Sequence, residues 1–325
     1  MPAQGKDDGG NVYTDSESDT HSPPSSESSG SSEGTPTVLS LSNTFLPTAQ
    51  LRSQSPDLIL LSPDLVFFYV HSQVLQDASK NGFNNLLPTY SPTDELDYPI
   101  LTVPEASSVL NILLHTIYGL DCAQYSPSLA DLVKAVESMQ TYGISPKLTI
   151  LPSTPLFTLL LCHAPHAPLD LYCLAGHYDI LDLAVAASAH LLSFSLPRLT
   201  DAAAKRMGPI YLKRLFFLHL GRTEALKRAL LPPPKAHRLI PGCSPQQQQA
   251  LAREWALASA RLAEDLRPDI STYALELALQ PLAAHFPCTL CQDALNARVQ
   301  DLTAEWAAVK VRPSVLFPVC AKQLM

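Results

Sequence analysis

The residues best suited to chemistry in this chain of 325 residues are its cysteines and histidines. His285-x-x-Cys288-x-x-Cys291 places two thiols and an imidazole close together, and thiolate and imidazole are the donors that zinc takes in tetrahedral sites. A fourth ligand has to come from a distant part of the chain, and Cys243 and Cys320 are the thiols that can supply it. A single C-x-x-C without a second knuckle is equally read as two apolar cysteines at a helix start after Pro287. On this pattern alone no metal and no cofactor is assigned. A second grouping, Cys162-His163-x-x-His166 followed by Cys173 and His177, sits in a Pro-interrupted loop and the helix after it. It is read as a polar loop with a structural cysteine.

Other chemistries lack their signatures. There is no G-x-S-x-G, no Walker A sequence and no G-x-G-x-x-G, in keeping with only 12 glycines. The expectation is a protein that is not an enzyme. Net charge is −8, of which 1–35 carry −6 through seven acids and Lys6, leaving −2 for the body. Such a body does not suit nucleic acid. One local exception is a basic stretch over 198–238, which reads either as solvated helix faces or as a dock for an anionic partner, the acidic tail included. No run of about 18 apolar residues suggests a membrane span, and the first residues have no apolar core of a secretory signal. Seven cysteines, an odd number without scaffold spacing, point to the cytoplasm or nucleus.

Positioning elements follow from pattern. Residues 1–50 are rich in Ser, Pro and acids and are expected to be disordered, although the more apolar Val38–Leu51 is suited to pack on the folded body as a short lead-in. Leu58–Leu61 and 65–70 are apolar runs divided by Ser62-Pro63-Asp64, which predicts a β-hairpin. After His71, the residues Val74, Leu75, Ala78 and Phe83 have helical spacing. A third strand is expected at 100–103. A helix follows with Leu110, Leu113, Leu114 and Ile117 on one face, ending at Gly119; another starts at Ser128 and stops at Gly143. The rest reads as helical: two pieces over 169–192 parting near 176–179, then 202–219, 221–231, 246–266 and a stripe from Leu295 to Val309, with Pro232-Pro233-Pro234 as a linker.

The order Phe68, His71, Leu75, Ser79, Phe83, Leu87, with Asp57 before the hairpin, resembles the BTB/POZ domain. The phrase Leu174-Ala175, Tyr178, Leu181, Leu183 resembles the helical BACK extension that follows many such domains. With the serine-rich tail, the chain is similar to BTB proteins abundant in mushroom-forming fungi. The resemblance implies an α+β fold: a BTB/POZ domain over 51–165, with a hairpin and third strand capped by helices, then an all-α region over 166–325. It implies a protein–protein interaction module that forms homo- or heterodimers, with Ser72, Gln73, Gln76, Tyr118, Asp131 and Tyr142 on the interaction surface. One implied job is a substrate adaptor for a cullin-type ubiquitin ligase docking on 107–142. Another is an oligomeric scaffold or transcriptional co-regulator without ubiquitin chemistry. A zinc-dependent hydrolase is a distant third. The family pairs the acid at Asp57 with a base beside His71, where this chain has Ser72, so Asp57 is expected to be exposed or capped by hydroxyls.

Overall fold

The computed structural model describes residues 40–87 and 98–309. The greater part of the expected acidic tail, the loop at 88–97 and Cys320 lie outside the described residues. The elements in chain order are β1 (Ser40–Leu41), β2 (Leu58–Leu61), β3 (Val66–Val70), α1 (Ser72–Ala78), α2 (Gly82–Asn85), β4 (Ile100–Thr102), α3 (Ser107–Tyr118), α4 (Leu129–Thr141), α5 (Pro146–Thr149) and α6 (Pro155–Cys162). They continue with α7 (Pro168–His177), α8 (Leu181–Ser188), α9 (Asp201–Leu230), α10 (Pro245–Glu264), α11 (Thr272–Leu279) and α12 (Thr289–Ala308). The fold is α+β and mostly helical. No helix among the described residues is long and apolar enough to cross a membrane.

The four-stranded sheet has the order β1-β3-β2-β4. β2 and β3 form the antiparallel hairpin, with Leu58 opposite Val70 and Leu61 opposite Phe67. Its turn closes through Leu65 N–H to the Ser62 carbonyl at 3.0 Å, and the Ser62 hydroxyl holds Val66. β4 joins β2 in parallel and β1 joins β3 in parallel. Residues 40–50, the apolar end of the tail, pack on the folded body as the expected lead-in and are ordered with it: Ser40 and Leu41 extend the sheet and Phe45 is fully buried. The apolar content of this stretch, Leu41 and Phe45 included, outweighs its serines.

The helix after His71 is shorter than its spacing predicts. α1 ends at Ala78, and α2 is a single turn in which Gly82, Phe83, Asn84 and Asn85 have φ of 61°, 54°, 60° and 57°. Gly and Asn visit this left-handed region most readily. Phe83 alone is forced there, and its buried ring stacks on Tyr142 with centroids 4.0 Å apart.

Two hydrophobic cores organise the body. One runs from Phe45 to Leu215 and so continues through residue 165; the other is built from Leu226 to Trp306. α7 and α8 part where expected, at Asp179, which takes φ 54°. The expected break between 219 and 221 is absent, and α9 runs through Gly221 for 30 residues. Leu218, Arg222 and Leu226 are buried in one register across that point, which outweighs roughly 1 kcal/mol lost to a mid-helix glycine. The irregularity falls instead at Gly208, with φ 76° and ψ 165°, because Pro209 excludes the helical region for the residue before it. α7 and α9 meet closely here.

Two predictions follow from this packing. A Cβ on Gly176 would lie 2.6 Å from the Met207 carbonyl oxygen, so Gly176→Ala should cost about 1–3 kcal/mol in chemical denaturation. Asp64 accepts from Ser107 N–H at 2.9 Å and from the Ser107 hydroxyl, closing the start of α3. Partial burial opposes ionisation, but these hydrogen bonds prevail and hold its carboxyl below the usual value. Asp64→Ala should therefore cost on the order of 1 kcal/mol at neutral pH. A depressed folded-state pKa gives stability that is present above the unfolded value and lost as pH falls through the folded one. The gap between the two proteins should thus close below about pH 4 in urea titrations.

Candidate functional site

The first candidate region is the hairpin edge that carries the family-like motif. His71 follows β3 as the N-cap residue of α1 and is buried, and each of its polar groups has a partner. Its Nε2 faces the Gln54 carbonyl at 2.9 Å, an oxygen that only accepts, so Nε2 carries the proton. Nδ1 then accepts from the Tyr118 hydroxyl at 2.9 Å, while the His71 backbone N–H donates to that same oxygen at 2.8 Å. Burial pushes the Tyr118 hydroxyl up to about 12, so it stays protonated. This closed set fixes a strand to a helix. Asp57 is exposed and accepts from Ser72 N–H at 2.7 Å and from the Ser72 hydroxyl. The Asp57 carboxylate thereby caps the start of α1 through its first N–H.

Ser79 plays a similar structural part. Its hydroxyl donates to the Tyr142 carbonyl at 2.7 Å and accepts from Phe83 N–H at 2.7 Å. Phe68, Leu75 and Phe83 are buried, and Leu87 is half-buried against the same core. Of the residues expected on an interaction surface, Gln73 and Gln76 are exposed and Ser72 and Asp131 are half-buried. Tyr118 and Tyr142 are not surface residues; both are buried, the first by His71 and the second by Phe83 and by its hydroxyl bond to Glu105. Their sequence positions near helix ends concealed this, because tertiary contacts close over them.

α9 offers a different kind of surface. Ile210, Phe217 and Leu220 are 64%, 55% and 54% exposed, with Phe216 and Lys213 beside them. At 3.6 residues per turn these positions face away from Tyr211, Leu215, Leu218, Arg222 and Leu226, which are buried. The basic stretch over 198–238 is not one free patch: Arg222 is buried, Arg206 pairs with Glu137 and Lys227 with Glu224.

The second candidate region is a gathering of soft donors in the C-terminal body. His237, Cys243, Cys288 and Cys291 bring one ligand atom each to within 4.8 Å of one another. Cys288 is the N-cap of α12 and Cys291 lies in its first turn. Cys243 closes the turn Ile240-Pro241-Gly242-Cys243, whose N–H reaches the Ile240 carbonyl at 3.0 Å. His237 lies in the extended segment after Pro232-Pro233-Pro234. The Cys291 backbone N–H draws the Cys288 thiol below its ordinary value, whereas burial raises the Cys291 thiol. His285 is exposed and outside the cluster; His237 holds the imidazole position. Cys243 joins from the two distant thiols considered. Spacing had no means of finding His237, which a 51-residue separation hides from Cys288; the Pro-Gly turn before Cys243 was the one local sign. Among the described residues, Cys162, His163, His166, Cys173 and His177 form no such group. Cys173 is buried against the Ala203 carbonyl.

No family model, curated protein or solved structure matches this chain. The reading of both regions rests on their geometry. For the first, Tyr118→Phe should strand the His71 backbone N–H and Nδ1 and cost about 1–3 kcal/mol in urea unfolding, with the far-ultraviolet spectrum unchanged.

Proposed function

We propose that this chain is a BTB/POZ-like protein-interaction module acting in the cytoplasm or nucleus, an adaptor that holds a cullin-type scaffold on its α+β part and a second protein on its helical part. The observation that carries the reading is the apolar face of α9, where Ile210, Phe217 and Leu220 stand in solvent opposite a fully buried face. Contiguous exposed apolar groups of this kind mark protein contact sites. The hairpin, the helix after His71, the parallel third strand and the helices α3 and α4 occur in the order that the family resemblance implies. The absence of freed donors and acceptors around His71 supports a structural motif over a catalytic one. Four protein donors meeting at one buried point leave no open position for substrate, which weighs against the zinc hydrolase alternative.

The test is affinity purification of the full chain from the cells that make it, with mass spectrometry and light scattering. Recovery of a cullin supports the adaptor role. An oligomer that holds other proteins and never a cullin overturns the adaptor role in favour of a scaffold or co-regulator. Phe217→Glu with Leu220→Glu should weaken capture of the second protein about 30-fold, the loss of one interface hot spot. The same change should alter stability by less than about 0.5 kcal/mol, since both residues are exposed. Undiminished capture by this variant removes α9 as the contact face.

A further inference from the structure

We propose that His237, Cys243, Cys288 and Cys291 bind one zinc ion in a closed structural centre that clamps the segment after α9 to the start of α12. The proposal stands on geometry and is independent of the interaction role. Zinc bound to sulfur at about 2.3 Å and to nitrogen at about 2.0 Å in a tetrahedron sets sulfur pairs about 3.8 Å apart and sulfur–nitrogen pairs about 3.5 Å apart. Here Cys243 Sγ and Cys291 Sγ are 3.6 Å apart, and His237 Nε2 is 3.3 Å from Cys291 Sγ and 3.5 Å from Cys288 Sγ.

The histidine is oriented for the task. Its Nδ1 lies 2.7 Å from the Arg238 carbonyl, an acceptor, so Nδ1 carries the proton and Nε2 turns a lone pair toward the sulfurs. Gln248 donates to the His237 carbonyl at 3.1 Å and holds that segment against α10. The thiols are equally placed. Cys288 and Cys291 sit at the N-terminal end of the 20-residue helix α12, side by side with Cys243 and His237. Cys243, Cys288 and Cys291 are 2%, 8% and 1% exposed, so the three thiols lie inside the second core, with His237 half-buried beside them.

Other assignments account for less. A disulfide between Cys243 and Cys291 requires about 2.05 Å between sulfurs and leaves a third thiol and an oriented imidazole without a role. Three thiolates and one imidazole are soft and borderline donors, which suit zinc and not magnesium or calcium. With four protein ligands the ion has no open position, so its contribution is to folding: it joins residues 237 and 291 across a long stretch of chain and completes the second core.

The decisive measurement is metal content and cobalt binding of the purified full chain under reducing conditions. About one zinc per chain is expected, and cobalt alone added to demetallated protein should give the visible absorption of a tetrahedral thiolate site. His237→Cys should keep the metal and shift that absorption as nitrogen is replaced by sulfur; Cys291→Ser should lose it. Should Cys291→Ser fail to fold, His237→Cys and the parent chain still decide the matter. A well-folded parent chain that takes up neither zinc nor cobalt overturns the proposal. So does a Cys243–Cys291 disulfide in protein from the cell, or metal content unchanged in a folded His237→Ala, Cys243→Ser double variant.

Discussion

One helix serves two cores, and the rest of the body depends on that sharing. α9 places Met207, Tyr211 and Leu215 in the core that includes the sheet, and Leu226 and Leu230 in the core of the last three helices. An isolated helix gains little stability in water, so α9 persists because both ends are buried. Its far end is closed by side chains from elsewhere. Trp255 Nε1 donates to the Leu230 carbonyl at 2.9 Å, and Arg298 donates to the Ala229 and Pro232 carbonyls. Arg222 does the reverse service from within α9, reaching the Pro268 and Val309 carbonyls while lying 4.1 Å from the centre of the Trp306 ring. Two buried arginines are thus satisfied by backbone oxygens and aromatic faces.

The same device operates at the sheet. Asp57 and Asp64 flank β2 and each takes the first N–H and hydroxyl of a helix, α1 through Ser72 and α3 through Ser107. Neither helix has a side-chain cap of its own from His71 or Ala106. Capping from another element ties the position of each helix to the strand, which a local cap does not do. Together with the His71–Tyr118 bond, these contacts make the hairpin and its helices one rigid support. The apolar face on α9 is carried by a helix packed into two cores, while the soft-donor cluster lies where the segment before α10 meets the start of α12.

Much of the architecture was legible in the chain. Apolar runs of four to six residues broken by Ser-Pro-Asp specified the hairpin, because a strand needs little more than apolar neighbours and a turn. Gly119 and Gly143 marked helix ends since both take positive φ. Periodicity was less informative where backbone chemistry overruled it. Phe83 has helical spacing from Leu75, yet Asn-Gly-Phe-Asn-Asn prefers a left-handed turn. Gly221 looked like a break, yet the burial of Leu218, Arg222 and Leu226 carries the helix through it.

The sequence by itself determined the local elements and the supply of donors: the strand pair, most helices, the C-x-x-C at a helix start and a serine beside His71. These depend on neighbours a few residues apart, whose preferences act before the chain closes on itself. Only tertiary structure decided which imidazole meets the thiols, which tyrosines are buried and which face of α9 is left in water. Those outcomes join residues tens of positions apart, and nothing in local spacing encodes a distance across a folded core.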